Sequence, residues 1–179
     1  MELVLGDITK MKTDAIVNAA SSSLRPCAGI CQSVFAAADT KKLLSICKKI
    51  GHCDIGRAVI TPSCGLPCKY IIHVAGAGWY SGQKEERLLF ADYYRNALQK
   101  AYACHCRTIA VPLMFSGDFH IPRGEALQIV GEVIRQFEIT CPKAKIILVL
   151  YKQSIYDLAV NILKNGEKEN EKNEASYMR

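Results

Sequence analysis

Six short apolar runs punctuate the chain, and the stretches between them repeat their apolar positions at helical spacing. The runs are Glu2–Leu5, Ala15–Asn18, Ala58–Thr61, Tyr70–Val74, Thr108–Pro112 and Lys145–Leu150. The last two are almost free of polar residues, which suits strands covered on both faces. Helices are predicted over Ile30–Ala38, Thr40–Ile50, Glu85–Ala103, Arg123–Phe137 and Ile155–Leu163. In the longest of these, Leu88, Leu89, Ala91, Tyr94, Ala97, Leu98 and Ala101 fall at helical spacing. Strands alternating with helices predict a three-layer α/β/α sandwich around a central mixed, mostly parallel sheet.

Length and composition narrow this picture. The 179 residues are half hydrophobic and 22% charged, an ordinary globular balance with material for one core. We expect one domain over residues 1–164. The run Asn165-Gly-Glu-Lys-Glu-Asn-Glu-Lys-Asn-Glu then lacks apolar periodicity, and residues 165–179 are expected to form a charged, disordered tail. A net charge of +6 is compatible with an anionic partner but does not specify one.

The nine cysteines are odd in number, and Met1–Leu5 reads as a strand instead of a secretion signal. A reduced, cytoplasmic protein is the expectation. Cys27-x3-Cys31, Cys64-x3-Cys68 and Cys104-His105-Cys106 lack the paired Cys-x2-Cys spacing of zinc ribbons, so no metal is expected. No apolar run is long enough to cross a membrane. A monomer is expected.

Ligands of open α/β sheets bind beyond the carboxyl ends of the strands. Three such ends carry suitable residues: Leu5-Gly6-Asp7-Ile8-Thr9, then Val17-Asn18 running on through Ser21 to Gly29-Ile30, and Pro112 running on through Ser116-Gly117-Asp118-Phe119-His120. The last two place a glycine and small residues before a helix, where exposed N–H groups favour an anion. Isolated glycines of this kind are also ordinary turn residues. Neither G-x-G-x-x-G nor G-x-x-x-x-G-K-[ST] occurs, which argues against a Rossmann dehydrogenase and a P-loop NTPase. Neither H-E-x-x-H nor G-x-S-x-G occurs, against a simple zincin or α/β-hydrolase.

The order of motifs resembles the macrodomain family, of the MacroD type. Gly6-Asp7-Ile8-Thr9 and Asp14-Ala-Ile-Val-Asn-Ala-Ala20 look like its opening. Gly56-Arg-Ala-Val-Ile-Thr-Pro62, Leu66-Pro-Cys-Lys-Tyr-Ile-Ile-His-Val74, Tyr94-Arg-Asn-Ala-Leu98, Ile109-Ala-Val-Pro112 and Ser116-Gly117 follow in register to about residue 164. The resemblance implies a pocket for ADP-ribose, free or on mono-ADP-ribosylated protein, with no cofactor. Asp7 would accept the adenine amino group, with Ile8 beside it; the lesser alternative is that Asp7 only caps a turn. Tyr151 would stack on adenine. Ala28, Gly29 and Ile30 would form one phosphate loop, near Asn18, and Ser116, Gly117, Asp118 and Phe119 the other. Phe119 would also lie against the distal ribose.

Departures from the family pattern bear on catalysis. Hydrolytic members carry an asparagine where this chain has Ser21 and an aspartate where it has Cys31. Their glycine-rich stretch is reduced here to Pro26-Cys27-Ala28-Gly29. A buried thiol is neutral and a poor substitute for a carboxylate that positions water. Ser21 and Asp118 are the candidates for a remaining catalytic role, with His120 nearby. Three readings follow: a module that reads ADP-ribose with weak or absent turnover, a hydrolase using phosphate-assisted water, or a binder of another nucleotide or RNA. The retained Asp7 counts against the third, and nucleic acid is not an expected partner.

Overall fold

The computed structural model describes residues 1–115 and 121–163. Its strands are β1 (Glu2–Leu5), β2 (Ala15–Ala20), β3 (Ala58–Pro62), β4 (Tyr70–Ala75), β5 (Thr108–Pro112) and β6 (Lys145–Leu150). Its helices are α1 (Ile30–Ala37), α2 (Thr40–Ile50), α3 (Lys84–Ala103), α4 (Arg123–Thr140) and a last helical stretch over 153–163. The expected elements are all present, with ends displaced by a few residues. The segment expected to form a tail lies outside the described residues, apart from the helix end before it.

The strands form one sheet in the order β1-β6-β5-β2-β4-β3. Every pairing is parallel except β3 with β4. Strand alternation sorts the core into two layers. Ala15, Val17, Ile72, Val74, Ile109, Val111, Ile146 and Leu148 face α3, α4 and the last helix. Ile16, Ile71, Ala110, Ile147 and Val149 face α1 and α2. Both faces are covered, which is why these strands read as continuous apolar runs and why the fold is an α/β/α sandwich.

Two polar clamps hold the ends of the central strands. Below the sheet, Asp14 Oδ2 accepts from the backbone N–H groups of Arg107 and Thr108 at 2.9 and 3.0 Å, while Oδ1 pairs with Lys69 at 2.6 Å. The Lys69 ammonium and these N–H groups hold the Asp14 carboxyl below the usual carboxylate range. Above the sheet, the buried Tyr94 hydroxyl donates to Pro112 O at 2.9 Å and accepts from Met114 N at 2.7 Å. That bond fixes the chain where it leaves β5, at the edge of the site.

Candidate functional site

The carboxyl ends of β1, β6 and β5 open into one cleft of about 530 Å³, a size typical of small-molecule sites. Gly6, Asp7 and Ile8 follow β1, Tyr151 and Lys152 follow β6, and Pro112 and Leu113 end β5. Gly29, Ile30, Gln32 and Ser33 enter from the start of α1, and Arg123 from the start of α4. The cleft therefore sits where parallel-sheet geometry places ligands.

At the β1 side, Asp7 caps a 3-10 turn over Ile8–Lys10. Its Oδ1 accepts from Thr9 N at 2.9 Å and from Thr9 Oγ1 at 2.8 Å. Both bonds fall on one oxygen, and none from a described residue falls on Oδ2. Capping and ligand recognition are thus compatible: the turn orients the carboxylate while one oxygen stays available. Tyr151 stands beside it, 79% exposed, with an uncovered ring at the cleft wall.

At the α1 side, Gly29 adopts φ +68° and ψ −133°, a conformation open to glycine and costly for other residues. A Cβ there would meet no atom within 4 Å, so the backbone angle, not crowding, calls for glycine. Gly29 precedes the first turn of α1, whose N–H groups lack helical partners. Arg123 and Lys152 add positive charge to the rim. Backbone donors, two cations and an aromatic face can together hold a nucleoside diphosphate.

The structure does not bring every expected residue to this cleft. Asp7, Ile8, Gly29, Ile30 and Tyr151 line it. Ala28 is exposed next to Gly29 without lining it. Asn18 is 0% exposed, because the alternation of β2 turns it inward toward α1 and α2. Its amide meets His73 Nδ1 at 3.1 Å, and His73 Nε2 meets Thr61 Oγ1 at 3.0 Å. This buried triad ties β2, β4 and β3 together, and burial pulls the His73 imidazole down to about 4. Among the described residues, Asn18 Oδ1 has no hydrogen-bond partner. Asn18 is therefore a residue beneath the site and not part of its lining.

On the distal side, Cys31 is fully buried and does not line the cleft; the adjacent Cys27, together with burial, raises its pKa, so its thiol is neutral. Ser21 bonds locally, to Ser23 Oγ at 3.2 Å and Arg25 O at 3.3 Å, and does not line the cleft. Pro26 lies in the loop before α1, which begins at Ile30, and Pro122 sits at the N-cap of α4. Ser116, Gly117, Asp118, Phe119 and His120 lie outside the described residues. Sequence reasoning missed Arg123, Lys152, Gln32 and Ser33. Lys152 was in reach of the strand-end rule, since it follows β6, and Arg123 opens α4 after Pro122.

Among the described residues, no group of three or more His, Cys, Asp or Glu side chains is arranged to hold a metal ion. None of the described helices is long and apolar enough to cross a membrane.

A mostly parallel sandwich with a cleft beyond its strand ends defines the class: an α/β protein with its ligand site at the carboxyl edge of the sheet. Comparison with known proteins gives the particular family. The Macro domain family profile matches residues 17–130. A Macro domain-containing protein of Lactiplantibacillus plantarum is 43% identical over 122 residues, covering 68% of this chain and 70% of its own. An O-acetyl-ADP-ribose deacetylase of Salmonella newport is 39% identical over 141 residues, covering 76% and 78%. The solved Oceanobacillus iheyensis macrodomain with ADP superposes with a TM-score of 0.87 at 30% identity, covering 93% of this chain and 91% of that one. The chain belongs to the macrodomain family.

Proposed function

We propose that this chain binds ADP-ribose, free or attached to protein, and turns it over slowly or not at all. The single observation that carries the slow turnover is Cys31. It is a fully buried, neutral thiol at the position where the hydrolytic pattern has an aspartate. General-base assistance is worth about 10²–10⁴-fold, and a neutral thiol does not supply it. In this reading the Asp7 carboxylate accepts the adenine amino group and Tyr151 stacks on the base. The N–H groups around Gly29, with Arg123 and Lys152, hold the diphosphate. The distal ribose then lies toward the α1 side of the cleft, and Phe119 is the aromatic proposed to meet it. The relation to an Oceanobacillus iheyensis macrodomain with ADP supports the adenosine diphosphate part.

A second reading is favoured by the relatives named O-acetyl-ADP-ribose deacetylase. Here the chain removes acetate, or mono-ADP-ribose from protein, using water held by the ligand's own phosphate, with Ser21 or Asp118 helping to position it. Titration calorimetry with ADP-ribose tests the pocket: no heat of binding defeats both readings. Acetate release from O-acetyl-ADP-ribose then separates them, because a rate well above background belongs to the hydrolase. An Asp118→Ala variant that hydrolyses at the parental rate removes Asp118 from that mechanism.

A further inference from the structure

The loop that departs most from the family pattern carries two thiols. Cys27 is half-buried and Cys31 fully buried, on either side of Gly29. The Cys27 N–H donates to Cys31 Sγ at 3.3 Å. The Cys31 thiol also donates to Arg25 O at 3.7 Å, and the Cys27 thiol to Ala19 O at 4.0 Å. Cys27 thus sits beside Cys31 with partial access to solvent, the setting that lets a thiol react. The neighbouring Cys31 thiol pulls Cys27 below the ordinary thiol range. Cys47, Cys53, Cys64, Cys68 and Cys106 are pushed upward, with burial the largest cause.

We propose that Cys27 and Cys31 form a reversible dithiol–disulfide couple in the phosphate loop, oxidised by peroxides, and that the oxidised loop binds ADP-ribose more weakly. The Cys27 thiolate attacks one peroxide oxygen. The O–O bond breaks, Cys27 becomes a sulfenic acid, and the departing oxygen takes a proton and leaves as water or an alcohol. The Cys31 sulfur then attacks the Cys27 sulfur. The S–O bond breaks, and the hydroxyl leaves as water with the Cys31 proton. Two thiols lose two electrons to the peroxide. A disulfide of about 2.05 Å requires the sulfurs to approach closer than a hydrogen bond. The loop on both sides of Gly29 must shift to allow this, and the N–H groups offered to the diphosphate shift with it. Only this effect on affinity rests on the ADP-ribose reading.

Peptide mapping after treatment with hydrogen peroxide tests the couple. The tryptic peptide 13–41 holds Cys27 and Cys31 and no other cysteine. It is expected two hydrogens lighter and closed to iodoacetamide, and dithiothreitol is expected to restore both thiols. In Cys27→Ser the same peptide is expected to keep a free Cys31. Before oxidation, Cys27 is expected to alkylate about tenfold faster than the also half-buried Cys104 and Cys141. The couple is overturned if Cys47 and Cys64 link first while 13–41 stays fully alkylated, or if Cys27 reacts no faster than Cys104. ADP-ribose titrated into oxidised protein is expected to bind about tenfold more weakly, the loss of one charge-assisted hydrogen bond. Equal affinity in the two redox states overturns the effect on binding. Reduced protein that fails to bind at all defeats that effect and the proposed function together, while the peptide map still decides the disulfide.

Discussion

The two ends of the cleft follow different rules. At the β1 and β6 end, Asp7 is oriented by its own turn and Tyr151 is left bare, so the groups proposed to read adenine are presented by rigid strand ends. At the α1 end, a buried thiol and a locally bonded serine occupy the positions that the proposed function assigns to chemistry on the distal ribose. One scaffold can keep recognition while its chemistry changes, because recognition relies on backbone and strand geometry and chemistry relies on a few side chains. The difference also separates affinity from rate, and each can be perturbed alone.

The largest expected effect comes from rebuilding the distal end. Ser21→Asn with Cys31→Asp restores the asparagine and aspartate of the hydrolytic pattern, and the Cys27 N–H that now meets Cys31 Sγ can donate to the new carboxylate. Acetate release from O-acetyl-ADP-ribose is expected to rise about 10²-fold or more. An unchanged rate would place the cause of slow turnover elsewhere, in the 116–120 loop.

Next in size are changes at the adenine end. Tyr151→Ala is expected to weaken ADP-ribose by about 1–3 kcal/mol, the worth of one base–aromatic stack. Asp7→Ala is expected to cost about 1.5–3 kcal/mol and to narrow the preference for ADP-ribose over GDP-ribose. Calorimetry reads both, and an unaffected Kd for either would break the assignment of this end to adenine.

A middling effect concerns the scaffold beneath the cleft. The His73 imidazole is held neutral, with its pKa lowered to about 4. The unfolded chain then binds the extra proton between about 6.5 and 4, and stability falls with acidification by up to about 1.4 kcal/mol per pH unit across that window. Asp14, whose carboxyl is depressed, adds a loss at still lower pH, once the unfolded carboxylate is protonated. Denaturant melts from pH 7 to pH 4.5 are expected to show this slope, and His73→Gln is expected to flatten its upper part. A wild-type midpoint that does not move over this range would contradict the neutral triad.

The smallest effect belongs to the exposed rim. Arg123→Gln or Lys152→Gln is expected to lower affinity by less than about 1 kcal/mol at low salt, with the difference fading as salt rises. A loss that persists at high salt would mean a closer, desolvated contact with the diphosphate.

The sandwich was legible in the sequence because both-face burial leaves uninterrupted apolar runs, as in Thr108–Pro112 and Lys145–Leu150, and helices leave a 3.6-residue rhythm. That Asp7 and Gly29 line the cleft was legible because each sits at a strand end or before a helix, and Tyr151 through the family resemblance. The burial of Asn18 was not legible: its place in a strand, two residues before the carboxyl end, decides that it points into the core, and a motif does not show facing. Arg123 and Lys152 were missed because scattered cations in a chain of +6 net charge carry no local signal until the fold gathers them. The pairing of Cys27 with Cys31 was likewise hidden, because a Cys-x3-Cys spacing does not show which atoms meet.

One measurement bears most directly on the contrast between the two ends. O-acetyl-ADP-ribose is mixed with the reduced wild-type protein, and binding and acetate release are followed in the same sample. The account requires binding comparable to that of ADP-ribose, with acetate released near the background rate. Rapid release, or the absence of binding, would contradict it.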